Sequence, residues 1–327
     1  MLKVTASAPA KVILCGEHAA VFFQPAIVMA IDKQAYVTVT PRKDQAIVIN
    51  SRDLCAAGIY EKNSFKPKIG GVGAKAKLEP IRVAAEKTIS IAKKRMGINI
   101  SIDSKIPVAA GLGSSAAVAV ATIAATGKLF GLQLSKKRIC SLAYEVEKIV
   151  HCYPSGIDNY ISTYGGINIF RRGKGFTPLK PRKAVPLVIG NTQAPRSTGK
   201  LVSHVHSLKT QYPGVVNPAI RAIGQLSLIA AKTIEDGDLE ELGELMNINH
   251  GLLAAMGLSN AELERLIYAA RRAGALGAKL TGAGGGGCMI ALTTPKKLRA
   301  VAGAIRKAGG VSIIAKMESG GVKVWQD

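Results

Sequence analysis

Residues Pro107-Val108-Ala109-Ala110-Gly111-Leu112-Gly113-Ser114-Ser115-Ala116-Ala117 place two glycines and two serines at the start of an alanine-rich, helix-forming run. A helix begins with unpaired N–H groups and about half a positive charge, so such a start attracts anions. Gly111 and Gly113 remove side chains that would keep an oxyanion from the backbone, and Ser114 and Ser115 offer hydroxyls to phosphate oxygens or a metal ion. The loop has neither the Gly-Lys-Ser/Thr ending of a Walker A loop nor the GxGxxG dinucleotide spacing. Taken alone, the same residues also suit a tight turn with a serine N-cap.

Three other segments carry groups able to act on a phosphorylated ligand. In the first, Lys11 lies between small residues and an apolar run ending in Cys15-Gly16-Glu17-His18. A buried lysine there needs a carboxylate or phosphate partner, whereas a surface lysine needs none. Glu17 and His18 follow a glycine, where side chains can project into a pocket. In the second, Pro154-Ser155-Gly156 reads as a turn with Asp158 just beyond it, and a tight turn would hold that carboxylate rigidly, as a base or metal ligand requires. Upstream of it, Glu145 and Glu147 flank opposite sides of the apolar stripe Ile139, Leu142, Ala143, Val146 and Val150. At about 100° per residue, periodicity does not choose between them. The third segment, Lys279 to Cys288, holds Gly282, Gly284 and three more glycines. Such a run costs conformational entropy and marks a close approach to another chain segment or a ligand. It leads straight into an apolar strand, which favours a packed functional loop over a flexible connector.

The elements that must position these groups are mixed. Residues 4–8, 35–40 and 46–49 read as short strands, and 99–104 alternates apolar and polar as a half-buried strand does. Helical patterns cover 78–96, 114–130 and 135–150, the last with Ser135 as N-cap. Residues 171–183, rich in Gly, Pro, Lys and Arg and without a period, read as a linker. After it come a strand at 185–190, three amphipathic helices from Asn217 onward, a strand at 288–292, a helix at 295–308 and strands at 311–316 and 322–325. Strands and helices interleave without a regular βα repeat, which points to an α+β fold. The length of 327 residues suits two domains, drawn at 1–175 and 183–327.

The charge is +23, from 44 Lys/Arg against 21 Asp/Glu, and attracts anions over the whole surface. It is spread from Lys3 to Lys323 without a basic tail or an aromatic-basic platform, which argues against nucleic acid as the primary partner. Five cysteines, none paired at CxxC spacing, argue against a disulfide framework and a zinc site. The opening residues lack a signal-peptide pattern, and the longest apolar run, 116–126, is too short to span a bilayer. A cytoplasmic protein with reduced thiols is expected, with no membrane partner.

Together the segments resemble the motifs of the GHMP kinase superfamily, in order and spacing along nearly the whole chain. Residues 107–117 resemble its second motif and 279–288 its third; 8–21, with Gly16-Glu17-His18-Ala19, resemble the first motif of the mevalonate kinase family, as do Pro154 to Asp158 and Pro195 to Thr198. Phe22-Phe23-Gln24 departs from the pattern, since many relatives have a glycine there. The resemblance implies a two-domain GHMP kinase fold, with a ribosomal-protein-S5-domain-2-like N-terminal half and a ferredoxin-like C-terminal half, a homodimeric assembly, and chemistry at matching positions. Asp158 would be the catalytic carboxylate with Lys11 as its partner, the 107–117 loop with Gly282 and Gly284 would bind ATP, and Ser115 and Glu147 would hold Mg²⁺. Glu17, His18, Arg196 and Thr198 would surround mevalonate or, for Thr198, the γ-phosphate, with Arg196 or His18 facing the mevalonate carboxylate. Two alternatives stand beside this reading: a kinase of the superfamily acting on a sugar or another mevalonate derivative, and a basic nucleic-acid-binding protein on a degenerate kinase scaffold. The intact Lys11, Ser115, Glu147 and Asp158 set argues against the second.

Overall fold

The computed structural model describes residues 2–62, 64–94, 96–107, 110–150, 155–194 and 198–326. Its first half runs β1 (Val4–Cys15), β2 (Ala26–Pro41), β3 (Ile47–Ser51), β4 (Ala56–Glu61), β5 (Ser64–Ile69), α1 (Ala74–Ala92), β6 (Ile98–Ser104), α2 (Ser114–Leu129), α3 (Lys136–Val150), α4 (Ile157–Tyr164), β7 (Ile167–Arg171) and β8 (Gly175–Leu179). The second half runs β9 (Leu187–Asn191), α5 (Thr198–Gln211), α6 (Pro213–Asp236), α7 (Leu239–Ala255), α8 (Ala261–Arg272), β10 (Gly277–Leu280), β11 (Cys288–Leu292), α9 (Leu298–Lys307), β12 (Val311–Ala315) and β13 (Lys323–Gln326).

Strand β1 is buried along nearly its whole length, because α2 and α4 cover it and β2 and β13 flank it. A strand buried on both faces loses the alternation that marks half-buried ones. Pro9 breaks its propensity, and the chain absorbs the missing N–H with a register shift between Pro9 and Ala10. The strand therefore continues past residue 8, where the sequence pattern ends it, to Cys15, and Lys11 sits inside it opposite Ala30. Helix α2 is buried almost all round, as an alanine-rich helix must be to lie close against β1, β2 and α1.

The first sheet has nine strands in the order β13-β1-β2-β6-β3-β4-β5, with β7 joined to β2 and β8 to β7. The β3–β6 pair is parallel and the others are antiparallel. The second sheet is antiparallel, in the order β10-β11-β9-β12. The sheets divide near the 175–183 stretch, with one crossing: β13 leaves the second half and pairs with β1.

Two expectations need correction. Part of the 171–183 stretch is not linker but the β7–β8 hairpin, in which Phe176 stacks on Tyr160 with ring centroids 3.6 Å apart. Glycines at 173 and 175, both with φ near +85°, make its turn, and they masked the strand in composition. The helices of the second half begin at Thr198 rather than Asn217. Only Val205 of α5 is fully buried, so that helix carries no wide apolar stripe to read. Helix α6 is long and apolar enough to cross a bilayer, but Val216, Ile220 and Ile223 pack into the core and account for much of that apolarity.

Candidate active site

A cleft of about 710 Å³ opens where the two halves meet. Its walls come from β1, the start of α2, α3, α4, the β7–β8 hairpin, α5 and the loop after β10.

The start of α2 forms one wall. Its N-cap, Gly113, has φ +76° and no side chain caps the helix. The first-turn amides therefore remain donors for an anion, with the positive end of the helix behind them. Pro107, Ala110, Gly111, Gly113, Ser114, Ser115 and Ala116 line the cleft, whereas Leu112 and Ala117 are buried in the core. Val108 and Ala109 lie outside the described residues. The backbone N–H of Lys11 donates to the Leu112 carbonyl at 2.9 Å and so ties this loop to β1.

Opposite the loop, Lys11 Nζ stands 3.2 Å from Asp158 Oδ1, with side chains 7% and 29% exposed. Asp158 is not on a turn but in the first turn of α4, behind Gly156 at φ +77°. Two contacts fix that helix: Ser162 Oγ donates to the Pro9 carbonyl at 2.8 Å, and Asn159 Nδ2 to the Cys140 carbonyl at 3.1 Å. A Cβ built on Gly113 would lie 3.1 Å from Lys11 Cγ and 3.6 Å from the Asp158 carboxyl, so the loop and the ion pair are in contact. Gly113→Ala will accordingly strain the αL backbone by about 1–2 kcal/mol and push the pair apart. We expect a fall in kcat of roughly tenfold or more, against a melting temperature lowered by only a few degrees. Unchanged kcat in steady-state assays would disprove the contact's importance.

Glu147, on α3, reaches the same cleft. Glu145 instead pairs on the surface with Lys148 at 2.8 Å. Burial, and secondarily the Asp158 charge, push the Glu147 carboxyl up to about 8, with Lys11 pulling the other way. Its Oε2 is buried without a partner among the described residues. A buried carboxylate oxygen lacking a donor suits a cation, and Ser115 lines the same cleft with its hydroxyl. Two protein oxygens beside an anion cradle match the donor set of Mg²⁺, which takes few protein ligands plus phosphates. The residues therefore fit the ion.

The first motif is held from the second half of the chain. Glu17 is fully buried and its carboxylate accepts from Lys279 Nζ, itself entirely buried. Thr281 Oγ1 bonds both the N–H and the carbonyl of Ile13, each at 3.0 Å. Asn249 Oδ1 accepts from Gly16 N–H at 3.2 Å. The His18 ring lies 2.9 Å, through Nε2, from the Ala283 carbonyl. A carbonyl only accepts, so Nε2 carries the proton. Burial lowers the ring's basicity and keeps it neutral, which leaves Nδ1 a buried acceptor without a partner among the described residues. His18 Nδ1 is thus suited to accept a hydrogen bond from a hydroxyl.

Gly282 lines the cleft, but Gly284 does not. A Cβ at Gly284 would fall 2.1 Å from the Leu258 carbonyl, so the close approach there is to another chain segment. Thr198 lines the cleft at the start of α5; Arg196 lies outside the described residues. Sequence reasoning missed Lys279, Arg172, Val202 and His206. Thr198, Val202 and His206 recur at four-residue spacing, a helical face that could have been read had α5 been recognised. Arg172, on the hairpin turn, was hidden in the supposed linker.

Comparison with known proteins agrees with this fold. Residues 80–166 match the family described as GHMP kinases N terminal domain, and 230–311 match GHMP kinases C terminal. Mevalonate kinase of Pyrococcus horikoshii is 46% identical over 331 residues, covering 98% of this chain and 97% of that protein. The crystal structure of the Methanococcus jannaschii mevalonate kinase aligns with a TM-score of 0.82 at 28% identity, over 96% of this chain and 98% of that one. That of L. major mevalonate kinase in complex with R-mevalonate aligns at 0.83 and 28%, over 96% of each chain. With the fold, the motif order and the near-complete coverage in agreement, the chain belongs to the GHMP kinase family, on its mevalonate kinase branch.

Proposed function

We propose that this enzyme transfers the γ-phosphoryl group of ATP to the 5-hydroxyl of mevalonate, giving 5-phosphomevalonate. The observation that carries the reading is the Lys11–Asp158 pair set against the uncapped start of α2. Phosphates seated on the α2 amides and the Gly111–Gly113 backbone would present the γ-phosphoryl group to a hydroxyl lying beside Asp158. Phosphoryl transfer demands positioning and charge stabilisation more than covalent chemistry. Lys11, 3.2 Å from Asp158 Oδ1, offers a positive charge to the negative charge that develops on the acceptor oxygen. The Asp158 carboxylate accepts the hydroxyl proton as the new P–O bond forms and the bond from the γ-phosphorus to the bridging oxygen of ADP breaks, with ADP as the leaving group. Ser115 and Glu147 would hold Mg²⁺, which when bound neutralises phosphate charge.

Mevalonate offers a carboxylate and a second hydroxyl as further handles. Arg172 lines the cleft with Lys11, and its guanidinium suits the carboxylate. His18 Nδ1 suits the second hydroxyl. Arg172→Ala should raise the KM for mevalonate about tenfold or more with kcat little changed, the pattern for loss of uniform binding; an unchanged KM would remove Arg172 from acceptor recognition.

The Glu147 environment gives a pH prediction. Its folded carboxyl titrates above the unfolded value, so its contribution to stability is full at acid pH and is lost as pH rises through about 8. A cation on the carboxylate relieves that loss. Added Mg²⁺ should therefore raise the melting temperature more at alkaline than at acid pH, and Glu147→Gln should abolish the difference. A Mg²⁺ effect independent of pH would count against Glu147 as a ligand.

The direct test of the function is ADP release with Mg-ATP and a panel of mevalonate, 5-phosphomevalonate, galactose and homoserine. Turnover on mevalonate alone supports the reading. Turnover on another acceptor instead overturns the substrate and keeps the mechanism.

A further inference from the structure

Lys279 has no solvent exposure, and its Nζ donates to the Glu17 carboxylate and, at 2.8 Å, to the Leu280 carbonyl. Apolar residues of similar volume would fill such a site at equal or lower free energy, so stability alone does not account for the pair. What the pair grips is more informative. The Glu17 carbonyl accepts from Ala19 N–H at 2.7 Å, closing a three-residue γ-turn around His18. His18 itself sits at φ +59° and ψ −42°, a costly conformation for a residue with a Cβ. Strained turns persist only where their surroundings over-determine them. Here the restraints arrive from the other half of the chain: Lys279 on Glu17, Ala283 on the His18 ring and Asn249 on Gly16.

We propose that Lys279 is a positioning residue for acceptor recognition, which through Glu17 fixes the turn that aims the His18 imidazole at a hydroxylated carboxylic acid in the cleft. This rests on the reading of His18 as an acceptor contact. Lys279 has no solvent exposure and is not among the residues that line the cleft. Its removal therefore acts selectively: the nucleotide cradle at α2 is built from other residues, whereas the geometry of His18 depends on the grip at Glu17.

The test uses the double variant Glu17→Gln/Lys279→Met, which leaves no unpaired buried charge, alongside His18→Ala and the triple combination. Each is assayed for KM of mevalonate, KM of ATP and kcat at a temperature well below its melting point. The double variant should raise the KM for mevalonate about tenfold or more and change the KM for ATP by less than about twofold. The triple variant should be little worse than His18→Ala, because both changes act through one side chain. A double variant with normal mevalonate KM, beside a defective His18→Ala, overturns the role of Lys279 and leaves His18 in place. A normal His18→Ala overturns the reading of His18 and the proposal with it. Glu17→Gln alone, close in shape to the native side chain, serves if the double variant does not fold: the same selective rise in mevalonate KM is expected, and unchanged KM values for both substrates overturn the proposal.

Discussion

Asp158→Ala will lower kcat by about a thousandfold or more, since a positioned proton acceptor contributes on the order of 10²–10⁴ and the charge balance around Lys11 is lost with it. ATP binding should stay within about twofold, because the amides of α2 and the Gly111–Gly113 backbone do not depend on this carboxylate. The separation is measurable: steady-state ADP release reports the first and calorimetric titration with ATP the second. Asp158→Asn sharpens the test, since it keeps the shape beside Lys11 and removes only the charge and the basic oxygen. If either variant retained the normal rate, Asp158 would have no part in the reaction. If ATP binding collapsed as well, the ion pair would belong to the nucleotide site.

Lys279→Met, made alone, will destabilise the folded protein by about 3–5 kcal/mol, because it strands the fully buried Glu17 carboxylate without its partner. Burial already disfavours the charged form of Glu17, and Lys279 is the main influence opposing that effect. With the lysine gone the carboxyl must take up a proton or remain uncompensated. At about 2–4 °C per kcal/mol for chains approaching this size, the melting temperature should drop by roughly 10 °C. Adding Glu17→Gln should restore most of the loss, since an uncharged pair removes the unmatched charge. A single variant that melts within a degree or two of the parent would mean that the pair is solvated in solution.

The sequence made the chemistry more legible than the scaffold. The 111–115 loop, Glu147 and Asp158 come from separate segments yet line one cleft, and Lys11, far from them in the chain, pairs with Asp158 there. Helices α1 to α3 were readable because each has either a periodic apolar face or a continuous apolar run. Ser135 does cap α3, accepting from the Arg138 N–H at 3.2 Å. The β4–β5 hairpin gave no signal, since β5 is exposed and carries Lys66, Pro67 and Lys68. Helix α5 failed for the same reason in another form, with little buried surface to impose a period. Lys279 was visible as a residue but not as a site: only the fold brings it to Glu17, 262 positions away.

The pairing of β13 with β1 bears on how the chain is made. During synthesis β1 emerges before its partners and gains β2 early, but its other edge waits for residues 323–326. A buried, apolar strand with an open edge is a template for pairing with other chains. The growing protein therefore carries an adhesive edge from the pairing of β1 with β2 until β13 arrives, through the synthesis of every element between them.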